Sequence, residues 1–333
     1  MNFSVPDTRP ALRRRGFLKI VALGGLAAGL GVAALRRWEA TTARVSRVLM
    51  GTIVNLAVVS DDRGHAEAAV TAALEAMTRL MAFFDHRRPD TALGRLNAEG
   101  ALADPPAELV ALLTYALDLS ARTQGAFDVS VKPVLDAYSA GRFEVEALRD
   151  RVDYRQIEVS THKIHLHRPG MALTLDGLAK GRVVDGAVAA LRANGFERVF
   201  VEAGGDLLTT GPGPDNAAWQ VGIRDPRGAD TDWVARISMM TGALATSGDY
   251  LNAFTADRSL HHIIDPRTLR SPLALASATA LANSAMEADA LSTALLVLGP
   301  VEGLALARSL PGVEALLITK DGRRLTSPGF PTR

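Results

Sequence analysis

The sequence predicts an α+β fold: a single compact, two-lobed body of mixed strands and helices. Two observations carry this. Short β-prone runs and amphipathic helical stretches are interspersed rather than strictly alternating, and no internal repeat, low-complexity segment or linker divides the chain. With 333 residues, 48% hydrophobic and 22% charged, the chain has the composition of an ordinary globular protein with a core of normal size.

The elements follow in order. Residues 44–60 read as strand, with Val45, Val48, Ile53, Val54, Leu56, Val58 and Val59 all β-prone. Gly64 to Phe84 is alanine-rich, with Ala69, Ala73, Met77 and Leu80 at helical spacing. The loop Asp85-His86-Arg87-Arg88-Pro89-Asp90 breaks it at its proline. Pro105 and Pro106 open a helix that runs through Thr123 and ends at Gly125. Gln156–Val159 and Lys163–His167 predict a hairpin, and Ala172–Leu175 a third short strand. A helix from about Leu178 to Ala193 stops at Asn194-Gly195. Short strands then dominate to about residue 281, among them Val199–Glu202, Trp219–Ile223, Trp233–Ser238 and Ala243–Thr246. Ser284 to Leu298 is helix, and Val313–Thr319 is β-prone.

The N-terminus reads as an address, residues 1–40, ahead of a body from 44 to 333. Arg13-Arg14-Arg15-Gly16-Phe17-Leu18-Lys19 precedes an uncharged small and apolar stretch from Ile20 to Leu35. A positive segment before an apolar one is an export signal, and the arginine pair before Phe-Leu-Lys resembles the twin-arginine type. The stretch is short of the roughly 20 residues that span a bilayer comfortably, so a cleaved signal is favoured over an inner-membrane anchor. Either places the body in the periplasm.

Composition narrows the chemistry. Cysteine is absent, which excludes disulfides, thiolate ligands and a cysteine nucleophile. The net charge of +1, without a basic run in the body, argues against a nucleic-acid partner.

Five segments offer polar groups. Gly125-Ala126-Phe127-Asp128 reads first as a helix C-cap and turn. In Thr174-Leu175-Asp176-Gly177-Leu178-Ala179-Lys180-Gly181, ending in Asp185, a strand turns into a helix. Free N–H groups at a helix start attract phosphate, and a lysine there is disfavoured unless an anion compensates it. Asp176 as an N-cap with Lys180 solvated is the alternative. Ala203-Gly204-Gly205-Asp206 allows close backbone approach of a ligand or a plain tight turn. His261-His262-Ile263-Ile264-Asp265-Pro266 places two histidines on opposite faces of a strand, so one can face a site while the other meets solvent, with His262 a candidate base or phosphate donor; a surface strand with a Pro turn is the alternative. Asp289 and Thr293 are i and i+4 on one helix face, an oxygen-rich half-site for Mg²⁺ to which a carbonyl at the Gly177 turn adds a third oxygen. The alternative is Thr293 bonded back to its own helix and Asp289 exposed.

Taken in order with Met50-Gly51-Thr52, Arg88-Pro89-Asp90-Thr91 through Leu96-Asn97, and Thr246-Ser247-Gly248-Asp249, these segments resemble the FAD:protein FMN transferase (ApbE) family from Met50 to about Gly299. The resemblance implies that Met50, Ala126, Phe127, Asp128, Lys180, Gly204, Gly205, Asp206, His262, Ile263 and Ile264 line an FAD site. It implies Mg²⁺ on Asp289, Thr293 and the Gly177 carbonyl, with His262 and Asp289 as the catalytic residues. It further implies transfer of FMN from FAD to a Thr or Ser hydroxyl of a client flavoprotein, an electron-transfer subunit of the cell envelope, with release of AMP. FAD hydrolysis and non-catalytic periplasmic FAD binding are the alternatives. Two departures stand out. Arg87 and Arg88 stand where an aromatic usually precedes the Arg-Pro-Asp loop. Thr174 stands where an aspartate is common, with Asp176 two residues on; either is a candidate FAD contact, and Asp176 serves only if it still lies on the strand.

Overall fold

The computed structural model describes residues 42–229 and 231–331. The predicted export segment lies outside the described residues. Residues 44–60 form two strands rather than one: β1 (Thr42–Leu49) and β2 (Thr52–Val59) make a hairpin. Met50 and Gly51 between them both adopt positive φ, 53° and 69°, the geometry that suits the right-handed twist of paired strands.

This hairpin edges an eight-stranded antiparallel sheet. Its order continues through β6 (Val199–Ala203), β7 (Asp206–Thr210), β10 (Gly242–Gly248), β11 (Leu275–Ala282), β12 (Glu314–Thr319) and β13 (Arg324–Thr326). Both faces of the central strands are covered, so every residue of β6 and β7 is buried, the polar ones included. One face packs on α1 (Arg63–Phe84), α5 (Ala179–Ala193) and α6 (Ala285–Ser309). The other packs on a ribbon of β8 (Trp219–Arg224) and β9 (Trp233–Met239). The smaller lobe holds α2 (Ala92–Glu99), α3 (Ala107–Arg122), α4 (Lys132–Ser139) and a three-stranded sheet of β3 (Ala101–Ala103), β5 (Lys163–Leu166) and β4 (Ile157–Val159). One apolar core runs through both lobes.

By length and composition α6 would pass for a membrane span, yet it is the central core helix, packed on β10, β11 and α5. Its predicted end at Leu298 is a kink: Gly299 has φ 76° and Pro300 follows, after which the helix resumes. Ala172–Leu175 is not a strand. The Asn97 side chain takes both backbone groups of Leu173, at 2.6 and 2.8 Å, and the Thr174 amide donates to Val129 O, so no ladder forms. The sequence reading also passes over α2, α4, β3, β7, β11 and β13. Strand β11 is Leu-Ala-Ser-Ala-Thr-Ala-Leu-Ala, poor in β-formers, and is extended because β10 and β12 pair with it on both sides.

Candidate active site at the first turn of α5

Two close packings aim the site. A Cβ on Gly181 would lie 2.1 Å from the Ala285 carbonyl oxygen, so only glycine lets α5 cross the start of α6 at this distance. Asp185, one turn on, accepts from the Ala285 and Met286 amides at 2.7 and 3.0 Å and caps α6 alongside Ser284. Asp289, one turn into α6, therefore faces the first turn of α5. It accepts from the Gly181 amide at 3.1 Å and stands 3.5 Å from Lys180 Nζ.

Asp206, the first residue of β7, forms a direct ion pair with Lys180. Asp206 and Asp289 are 2% and 3% exposed, so two buried carboxylates share one ammonium. Burial raises the pKa of Asp206, the neighbouring Asp289 charge raises it further, and Lys180 acts against both. Burial likewise raises Asp289 against the pull of Lys180 and the Gly181 amide. Burial works against the Lys180 charge, but the two carboxylates more than compensate and hold it protonated.

Thr293 lies one turn beyond Asp289. Its hydroxyl is 3.1 Å from Ser247 Oγ at the end of β10, and a Cβ on Gly177 would sit 3.2 Å from it. Gly177 is thus wedged between Thr293 and the Phe127 ring. Asp289, Thr293, Ser247 and the Gly177 backbone gather hard oxygen donors beside a surplus of buried negative charge. Such a set fits Mg²⁺.

The opposite wall is the β6–β7 turn, where Gly204 and Gly205 take φ of 59° and 106°. A Cβ on Gly204 would meet Thr52 Oγ1 at 2.7 Å, so this turn lies against the Met50-Gly51-Thr52 turn. Buried Glu202 holds it, accepting from the Gly205 amide at 2.9 Å and from Asn55 Nδ2 at 2.6 Å. Burial nevertheless pushes its pKa up to about 7.

The two histidines part, but His261 does not meet solvent, and their segment is an isolated bridge in a loop and not a strand. His261 is fully buried: its ring Nε2 lies 3.2 Å from the Pro272 carbonyl and its amide donates to Ser271 Oγ at 2.8 Å, while its Nδ1 has no protein partner. His262 keeps its Nδ1 free of protein partners and feels the charges of both Asp176 and Lys180. Burial, aided by His261, lowers it to about 4, so its imidazole is neutral at ordinary pH.

A sequence model of the ApbE family matches residues 50–317. The chain belongs to the ApbE family. It is 31% identical to the FAD:protein FMN transferase of Treponema pallidum, over 86% of this chain and 87% of that one. The crystal structure of the ApbE protein of Thermotoga maritima superposes with a TM-score of 0.78 at 28% identity, covering 87% of this chain and 98% of the other. The flavin transferase ApbE of Vibrio cholerae superposes at 0.74 with 26% identity, over the same shares.

Within this ApbE-family site the structure brings together Lys180, Asp206, Asp289, Thr293 and Gly177, with Met50 and the Gly204-Gly205 turn joined through Thr52 and Phe127 beneath Gly177. The other predicted contacts lie elsewhere or offer only their backbone. Asp128 is turned into the fold: Oδ1 accepts from the Ser130 amide and hydroxyl at 2.8 and 2.7 Å, and Oδ2 from the Tyr154 amide at 2.8 Å. Burial raises it to about 6. Ala126, Ile263 and Ile264 have buried side chains in the core, leaving only their backbone to a ligand. Thr174 is buried, with its hydroxyl accepting from the Asp176 amide at 3.2 Å.

Asp176 lies in the turn, not on a strand, and so does not stand in for an aspartate at 174. It bonds His86 Nε2 at 3.2 Å and Arg87 Nη2 at 2.8 Å. Its side chain is 46% exposed; crowding on its inner side opposes the charge, but His86 and Arg87 outweigh that and hold its carboxyl well below the usual range. The two departures from the family pattern, Arg87 and Asp176, are therefore partners of each other. Sequence reasoning missed Ser247, Glu202, Asn55, His86 and Thr52 as site residues. A glutamate closing the apolar run Val199-Phe200-Val201 is the one signal that pointed to Glu202.

Proposed function

We propose that this chain transfers the FMN half of FAD, with Mg²⁺ as cofactor, to a threonine or serine hydroxyl of a client flavoprotein and releases AMP. That it is a flavinyl transferase, an enzyme taking its flavin from FAD, rests on its family membership and on relatives named FAD:protein FMN transferase. The finer reading is carried by one observation: two buried carboxylates, one ammonium and a ring of oxygen donors converge on the first turn of a helix. That is the equipment a diphosphate requires.

The residues divide the work. Lys180 and the α5 N-terminus attract the diphosphate, and the Gly204-Gly205 turn lets a ligand approach the backbone closely. Asp289, Thr293 and the Gly177 carbonyl would hold Mg²⁺, which when bound offsets charge on the phosphate oxygens. The acceptor oxygen bonds to the FMN phosphorus, the bond from that phosphorus to the bridging oxygen breaks, and AMP leaves carrying the bridging oxygen. Neutral His262 takes the hydroxyl proton. The arginine-rich leader places this chemistry in the periplasm, where the client is an electron-transfer subunit of the envelope.

Mass spectrometry of a client flavoprotein incubated with this protein, FAD and Mg²⁺ tests the proposal. The expected result is a covalent FMN adduct on Thr or Ser, with stoichiometric AMP and dependence on Mg²⁺. Release of free FMN and AMP without an adduct would establish hydrolysis instead, and FAD left intact would establish a binding protein.

A further inference from the structure

The smaller lobe carries a cluster that the flavin chemistry does not use. Strands β4 and β5 pair antiparallel with Glu158 directly opposite His165. Side chains alternate across a strand, so Ile164 and Leu166 point into the core while Lys163 and His165 face outward, with His167 next along. Glu158 and His165 thus form a cross-strand pair, and His167, the residue after the end of β5, extends it.

The side chains converge. The two imidazole rings meet edge to face with centroids 4.4 Å apart, and His167 Nε2 lies 3.3 Å from Glu158 Oε2. One ligand atom from each of Glu158, His165 and His167 falls within 4.8 Å of the other two, the one such group among the described residues. The neighbour of His165 on its other side is the small Ala101 of β3. The backbone beneath is fixed, since the His167 amide donates to Gln156 O at 2.9 Å and closes the β4–β5 ladder.

We propose that Glu158, His165 and His167 form a surface site for a borderline divalent cation of the Zn²⁺ type, separate from the Mg²⁺ site. Two imidazoles and one carboxylate are the ligand set that Zn²⁺ accepts, whereas Mg²⁺ takes oxygens and keeps most of its water. Three protein ligands at an exposed position leave a fourth for water or for a donor from outside the chain. The site joins two strands whose buried faces belong to the main core, so an ion there clips the smaller lobe together.

The experiment uses untagged full chain, freed of metal by chelation and titrated with Zn²⁺ by calorimetry in excess Mg²⁺. One zinc per chain, bound at micromolar affinity or tighter, is expected. Loss of an outer partner of a metal ligand typically costs 10- to 100-fold in affinity, so His165→Ala with His167→Ala should weaken zinc by at least about 100-fold. Glu158→Gln should weaken it less. Flavinylation in Mg²⁺ should be unchanged in both variants, since none of the three residues touches α5 or α6. Asp289→Ala should keep its zinc, which separates this site from the flavin site whatever becomes of the transferase reading. Zinc affinity unchanged in the double histidine variant, zinc lost in Asp289→Ala, or no zinc bound at micromolar concentration would each overturn the proposal.

Discussion

Replacing Asp289 by asparagine separates what the two buried carboxylates do for activity from what they do for stability. Asparagine has nearly the same shape and keeps an oxygen to accept from the Gly181 amide, so the 3.1 Å contact survives. One negative charge is lost. Lys180 retains its closer partner, Asp206, and loses the one at 3.5 Å. Against that loss, Asp206 is freed from a buried like charge, which helps to raise its pKa. The two effects oppose each other, and stability should change by no more than about 1 kcal/mol, a shift of about 2–4 °C in Tm. Activity should fall much further. Losing one preorganised electrostatic partner in a dry site costs about 3–4 kcal/mol, or about 10²–10³ in rate. The assay is the initial rate of FMN attachment to a client at saturating FAD and Mg²⁺, beside calorimetric Tm without ligand. A rate within about threefold of the unmodified protein would refute the metal assignment. A Tm lowered by more than about 10 °C would show that the charge holds the fold together rather than serving the chemistry.

Gly181→Ala drives a methyl to within 2.1 Å of the Ala285 carbonyl, so α5 and α6 must part; a loss of about 1–3 kcal/mol in urea unfolding is expected, with activity falling because Asp289 rides on α6. Glu202 has a folded pKa of about 7 against an ordinary 4.5, so the folded state holds the proton more tightly and its stabilisation, complete below 4.5, is lost as pH rises through 7. Glu202→Gln should flatten that part of the stability–pH curve, with Asn55 flipping to keep its bond, and an unchanged curve would place the proton elsewhere. His262 at about 4 is neutral until strongly acid pH; His262→Ala should lower the transfer rate by about 10²-fold or more while leaving FAD affinity within a few-fold. The buried neutral histidines 261 and 262 should also make stability decline as pH falls from 6.5 towards 4, since the unfolded chain binds those protons first.

Much of the fold was legible where local pattern and final environment agree. Helices α1, α3 and α5 carry their apolar stripes in the sequence, and Asn194-Gly195 ends α5 as expected. Strands β7 and β11 were not legible, because Asp-Leu-Leu-Thr-Thr and an alanine-rich run have no strong preference until partners pair on both edges. At the site the same division holds. Lys180 stood out because a lysine at a helix start calls for an anion, and its anions proved to be Asp206 and Asp289. The inward direction of Asp128 gave no sign, since whether an aspartate faces a ligand or its own turn is settled by the Tyr154 amide, 26 residues on.

The order of the segments from Met50 to Gly299, with their glycines, aspartates and Lys180, was enough by itself to determine the family resemblance and the candidate chemistry. These residues act through local geometry that a sequence carries: a turn needing positive φ, a helix start, an i to i+4 pair. Only the tertiary structure decided that Asp176 serves Arg87 and His86, that His261 lies against the Pro272 carbonyl while His262 feels the charges of Asp176 and Lys180, and that Glu158 meets His165 and His167. The Asp176 contacts join loops about 90 residues apart, and the Glu158 cluster, although within one hairpin, depends on the register its two strands adopt. Register is fixed by burial of the whole core, and no local stretch of residues contains that information.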